Sequence, residues 1–295
     1  MLVSDVLQGN EYHVHLGDCI PHMNSMPPAC VDMAVFSPPF PALYAYTSKE
    51  EDIGNSEDVG QEAKLHLSFF YRQLARLVKP GRVIVVHVMQ IPSMKRVGGD
   101  GGLIDFRGLN IRLGQRAGLI YEYDWTVRKN PQAQAIRTRS RELQFAGLES
   151  DRAKSRGALP DYLIKFRTPG DNAVPVDSEL QVSRNEWISW AENDWPDIKE
   201  TDTLNTLAAK SEDDTRHICP LQLGVIDRLV RLYSNPGEIV FSPFAGIGSE
   251  GYQALLRDRR FYGCELKPEY HAEAIRNLDR AIKKRESAIA VSLFD

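Results

Sequence analysis

The sequence predicts an α/β fold: one mostly parallel sheet, helices on both faces, and a small insertion. Three observations lead there. Short apolar, partly β-branched runs alternate along the chain with stretches of helical periodicity. Two of those runs, residues 31–36 and 239–242, read as buried strands, and each ends in a sharp turn. After the second run come a glycine turn, a helix over 250–256 and another strand over 261–264, the order of a strand–helix–strand unit with a parallel sheet. With 295 residues the chain is long enough for one large domain plus an insertion.

The elements follow in order. Residues 12–16 alternate as a strand does and stop at Gly17 and Asp18. Asp18 is a good N-cap for a short helix within 19–30. The 31–36 strand ends at Phe36, because Pro38 and Pro39 donate nothing to a sheet ladder. Residues 41–60 are polar and acidic, and read as a loop whose Tyr44 and Tyr46 either stack on bases or pack the loop. Apolar residues at helical spacing over 65–78 stop at Lys79-Pro80-Gly81. Residues 82–88 read as a core strand, with His87 as a satisfied core histidine. A glycine-rich loop starts at 97, a helix spans 106–117, and strands follow over 119–127 and 161–166. Helical periodicity returns over 217–234 and 270–285.

Two of the turns carry chemistry. Ser37-Pro38-Pro39-Phe40 puts a hydroxyl, a rigid bend and a ring at the carboxyl end of a core strand, where open α/β sheets bind ligands. The second, Ser242-Pro243-Phe244-Ala245-Gly246-Ile247-Gly248, opens a helix with glycines that let backbone approach a ligand. Glu265 follows Gly246 by 19 residues, the distance at which an acid takes ribose hydroxyls. The third glycine of a dinucleotide turn and the Gly-Lys-Ser/Thr of a P-loop are missing, so a ribose-containing cofactor without phosphate fits, of which S-adenosylmethionine is the common one.

Together these residues resemble the S-adenosylmethionine-dependent amino-methyltransferases of DNA, which act on cytosine N4 or adenine N6. Ser37 to Phe40 is similar to their (D/N/S)-P-P-(Y/F) catalytic motif, and Phe244 to Gly248 to their F-x-G-x-G cofactor motif. The catalytic motif comes first, as in the circularly permuted β group. The resemblance covers roughly residues 10–170 and 215–280 and implies a Rossmann-like methyltransferase sheet. It implies Ser37, Pro38, Pro39 and Phe40 at the target base, and Asp18, Phe36, Ser242, Phe244, Ala245, Gly246, Gly248 and Glu265 around the cofactor, with Asp18 near the adenine. A serine in the first motif position is the family's usual mark of cytosine N4; adenine N6 is the second reading, a non-catalytic binding relative the third. Two departures stand out. Ser242 occupies the place of the acid that holds the methionine amino group, and no lysine lies near Gln222.

Charge supplies the partner. The net charge of −4 does not advertise nucleic acid, but residues 128–167 hold ten basic and four acidic residues. Arg128, Lys129, Arg137, Arg139 and Arg141, with no acid among them, read as a loop expected to meet the phosphates of duplex DNA whose target base is flipped out. Residues 177–214 are the reverse, eleven acids and three bases, with Trp187, Trp190 and Trp195. They are expected to form an inserted cap within 171–215 with the tryptophans packed inward, part of target recognition or a homodimer interface, separating the two parts of the catalytic domain, 1–170 and 216–295. Cys19, Cys30, Cys219 and Cys264 lack metal-ligand spacing and follow no proline as a C5-methylating thiolate would, so neither a metal site nor cytosine C5 chemistry is expected. Scattered thiols, no signal-peptide pattern and no long apolar run point to a cytoplasmic protein without a membrane span.

Overall fold

A computed structural model describes residues 9–40, 61–92, 102–138, 148–149, 157–177, 181–205 and 220–292. The chain lays down β1 (Tyr12–Leu16), α1 (Cys19–Ser25), β2 (Met33–Phe36), α2 (Gln61–Leu77), β3 (Val83–Met89), β4 (Ile91–Pro92), β5 (Leu103–Ile104), α3 (Phe106–Arg116), β6 (Ile120–Val127) and α4 (Pro131–Thr138). There follow β7 (Asp161–Arg167), α5 (Arg184–Trp190), β8 (Asp194–Trp195), α6 (Leu223–Tyr233), β9 (Ile239–Ser242), α7 (Ser249–Leu256), β10 (Arg260–Glu265) and α8 (Pro268–Ser292).

Eight strands form one sheet in the order β1-β10-β9-β2-β3-β7-β6-β8, and β4 pairs with β5 apart from it. The first five run parallel. β7 is antiparallel to both β3 and β6. The strands alternate between two apolar layers: Ala34, Phe36, Ile84 and Val86 pack with α2 and α3, while Met33, Val35, Val83 and Val85 pack with α6, α7 and α8. From β2 the chain leaves through α2 on one face, and from β9 through α7 on the other. The carboxyl ends of β2 and β9 therefore border the switch point at which open α/β sheets bind ligands.

The structure revises three expectations. Part of the basic stretch, read as loop, is the helix α4. The acidic segment does not stand apart from the sheet, because β8 extends it by pairing parallel with β6. Trp190 and Trp195 are buried as expected, but Trp187 is 55% exposed. Three of the acids have intramolecular partners: Glu186 pairs with Arg231, Asp197 with Arg228, and Asp194 with Arg128. Arg228 also lies over the Trp190 and Trp195 rings, at 5.4 and 5.0 Å. The segment's negative charge thus neutralises the arginines of α6. Among the described residues no helix is long and apolar enough to cross a membrane.

Candidate active site

Parallel pairing of β2 with β9, Met33 opposite Val240 and Ala34 opposite Phe241, brings the two motif turns to adjacent positions on one edge of the sheet. Ser37 follows β2, and Gly246 follows β9 through three residues. One strand further out, β10 ends in Glu265, and beyond it β1 runs into Asp18.

The glycine turn is built by backbone. Ala245 N–H donates to the Cys264 carbonyl at 2.8 Å, and Gly248 N–H to the Ala245 carbonyl at 2.7 Å. Gly248 sits at φ +85° with Ala274 3.2 Å from where a Cβ would stand, so both conformation and space demand glycine there. Glu265 is held by two amides: Oε2 accepts from Gly246 N at 2.8 Å and Oε1 from Lys267 N at 2.8 Å. Its carboxylate is thereby fixed beside the turn. Asp18 caps α1, accepting from Ile20 N at 2.9 Å, so the capping role exists and leaves its second oxygen for another partner. Phe244 is partly exposed, its ring 5.9 Å from Phe36 and 5.1 Å from Phe70. Phe36 itself is fully buried. It therefore backs the Phe244 wall, where the motif resemblance put it against the cofactor.

Around this turn several polar groups are buried without partners: Ser242 Oγ, Ser249 Oγ and Gln222 Oε1. Buried hydroxyls and amides are normally satisfied. Ser242 and Gln222 stand where the two departures fall, so the chain offers neutral hydrogen-bonding groups in place of an acid and a lysine. Glu250, in the first turn of α7, is also buried, and burial followed by the neighbouring Glu265 pushes its carboxyl up to about 8. A glycine turn, a fixed acid and unsatisfied polar atoms fit an adenosyl amino acid.

The other half of the site is a line of four side chains from four elements. Ser37 Oγ and His87 Nδ1 are hydrogen-bonded at 2.7 Å. His87 Nε2 lies 3.0 Å from Asp161 Oδ2, although the N–H is not well aligned for a hydrogen bond. Lys129 Nζ is 2.6 Å from the same oxygen. The sheet explains the meeting. Ser37 leaves the carboxyl end of β2, and His87 lies near the same end of β3. Antiparallel β7 delivers its first residue there, with Asp161 opposite Met89 and Val127. Lys129 is two residues beyond the end of β6. Burial raises the Asp161 carboxyl, but His87 and Lys129 pull it the other way and leave it below the usual carboxylate range. Phe40, expected to face the base, is largely buried, with its ring 5.5 Å from Phe106.

Sequence reasoning missed Asp161 and set His87 aside as a core residue. Neither carries a motif, and the signal was only that both lie near strand ends. It also misplaced Lys129, whose side chain is 4% exposed and committed to Asp161. That geometry removes Lys129 from the phosphate-contacting set. Arg128 is exposed and paired with Asp194. Arg137 lies in α4; Arg139 and Arg141, like Tyr44 and Tyr46, lie outside the described residues.

A Rossmann-like sheet whose switch point joins a Ser-Pro-Pro-Phe turn to a glycine turn defines a methyltransferase fold. In agreement, the chain superposes on TTHA0409 of Thermus thermophilus in complex with S-adenosyl-L-methionine, with TM-score 0.65 and 21% identity over 92% of this chain and 96% of that one. It superposes on the PvuII DNA methyltransferase (cytosine-N4-specific) with TM-score 0.64 and 17% identity over 94% and 92% of the two chains. By sequence it is 26% identical over 122 residues to the type II methyltransferase M.BglI of Bacillus subtilis, 40% of this chain and 30% of that protein. It is 40% identical over 57 residues to the DNA adenine methyltransferase YhdJ of Escherichia coli (strain K12), 19% of each. These matches span less than a third of either relative. The family model described as DNA methylase matches residues 31–276, most of the chain, and the protein belongs to that N6/N4 DNA methylase family.

Proposed function

We propose that this protein methylates DNA, transferring a methyl group from S-adenosylmethionine to the exocyclic N4 of a flipped-out cytosine. The observation that carries the reading is the adjacency of the two turns: a hydroxyl-bearing Ser-Pro-Pro-Phe turn beside a glycine turn with an amide-fixed acid, on neighbouring parallel strands. When bound, S-adenosylmethionine supplies an electrophilic methyl group. Glu265 holds the ribose hydroxyls, with Asp18 on the adenine side. Phe244, Ala245, Gly246 and Gly248 form the wall, and Ser242 stands in for the family's acid. Ser37 Oγ and the Pro38 carbonyl accept hydrogen bonds from the target amine. That matters because the amine's lone pair is delocalised into the ring, and accepting its protons favours the tetrahedral, nucleophilic nitrogen. Transfer then becomes largely a matter of holding two reactants in line, which proximity accelerates strongly: the N–C bond forms as the S–C bond breaks, the neutral thioether S-adenosylhomocysteine leaves, and the amine loses one proton afterwards. Flipping the base gives it access to the turn, and Arg128, Arg137, Arg139 and Arg141 contact phosphates.

Adenine N6 is the second reading, favoured by the similarity to an adenine methyltransferase. Labelled S-adenosylmethionine, mixed-sequence duplex DNA, digestion to nucleosides and mass identification separate the two. We expect label in N4-methylcytosine; label in N6-methyladenine alone overturns the target and keeps the reaction. Ser37→Ala should remove most of the label and leave cofactor binding unchanged by calorimetry.

A further inference from the structure

A serine hydroxyl is an ambiguous acceptor. It rotates freely and can turn its own proton toward an amine, where donor faces donor. The Ser37 environment removes that ambiguity. A neutral imidazole carries one N–H and one bare nitrogen. Asp161 Oδ2 stands 3.0 Å from His87 Nε2, and although the N–H is not well aligned for a hydrogen bond, the charge of the carboxylate at that distance favours the ring's proton on Nε2. Nδ1 is then a lone pair, and its 2.7 Å hydrogen bond with Ser37 has one possible donor, the Ser37 hydroxyl. With that proton committed to His87, Ser37 has only lone pairs left for a ligand. Lys129 completes the line: it pairs with the buried Asp161 at 2.6 Å, because an isolated carboxylate in the core is costly.

We propose that His87, oriented by Asp161 and Lys129, is a positioning residue that makes Ser37 a one-way acceptor for the amino group of the target base. This rests on the methyltransferase reading above. It assigns a role to three residues that the two motifs do not contain, and it gives a neutral serine the directionality that an aspartate in the same motif position has by charge.

The test is a double-variant cycle on single-turnover methyl transfer with the full-length protein, using Ser37→Ala, His87→Leu and the two combined. Each single change should slow transfer by about tenfold or more, the worth of a well-placed hydrogen bond or two. The combined variant should be no slower than Ser37→Ala, since His87 acts only through Ser37. His87→Asn, whose amide oxygen can take the Ser37 proton from near the Nδ1 position, should recover much of the His87→Leu loss. Unchanged S-adenosylmethionine binding by calorimetry reports that each variant is folded. Losses that multiply in the combined variant overturn the role while the methyltransferase reading stands. A wild type that transfers no label to any DNA overturns the reading on which it rests. A second arm needs no turnover: nitrogen-15 NMR of histidine-labelled protein should show His87 with its proton on Nε2 and an Nδ1 signal that moves in Ser37→Ala. A proton on Nδ1 overturns the role.

Discussion

Glu250 is a carboxyl in the wrong solvent. It is buried in the first turn of α7, where a helix N-terminus would ordinarily favour its anion, yet burial outweighs that and raises it from 4.5 to about 8. The folded state therefore holds a proton that the unfolded chain releases. Stability contributed by the protonated form is complete below about pH 4.5 and is lost as pH climbs to about 8. Each tenfold change in proton affinity is worth about 1.4 kcal/mol, so the window is on the order of 3–5 kcal/mol. Glu250→Gln keeps the shape without the ionisation and should flatten this fall. Urea midpoints at the two ends of the range check it; equal losses in wild type and variant would clear Glu250 of the effect.

At the level of elements, the glycine turn depends on how closely α7 lies on β10 and α8. Gly251 makes that approach possible: an added Cβ would stand 2.4 Å from a Phe261 ring carbon and 2.6 Å from a Leu278 methyl. Both neighbours are fully buried. Gly251→Ala gains helix propensity of about 1 kcal/mol, but overpacking costs about 1–3 kcal/mol and should win. The expected result is a lower urea midpoint together with weaker S-adenosylmethionine binding, because α7 carries the Gly248 turn at its start. A stabilised variant would mean that α7 has room to move. The acidic segment is legible at this level only in part. Its tryptophans mark an apolar seat, and two of the three find one. That β8 extends the sheet follows from pairing across more than 60 residues, which local periodicity does not encode.

Under the proposed function, the question for the whole molecule is which charges face DNA. The chain as a whole is acidic, so binding must come from a local excess. Neutralising two of Arg128, Arg137, Arg139 and Arg141 should reduce the slope of log affinity against log salt by about 0.9 for each phosphate left without its cation. Lys129→Met should behave differently. It leaves the salt slope unchanged, because the ammonium is buried, and lowers stability by about 3–5 kcal/mol, because the buried Asp161 loses its ammonium counter-charge and keeps only His87. A variant of normal stability with a shallower salt slope would return Lys129 to the DNA-binding face.

Sequence by itself determined the order of the long strands and helices, though not α4 or β8, together with the two motif turns and the acid that follows the second. Each of these is written in neighbouring residues: prolines end a strand, glycines permit a turn, and apolar spacing selects helix or strand. It also pointed to the end of the sheet at which the candidate site lies, since ligands gather at the carboxyl ends of parallel strands. Only the tertiary structure decided which side chains meet there. Ser37 and His87 are 50 residues apart, and Asp161 joins them because β7 runs against its neighbours and starts where they end. A strand's alternation says which face a residue takes, but not which strand lies beside it or in which direction. For the same reason Lys129 reads as one more surface cation in a basic run and is, in the fold, the counter-charge of a buried acid.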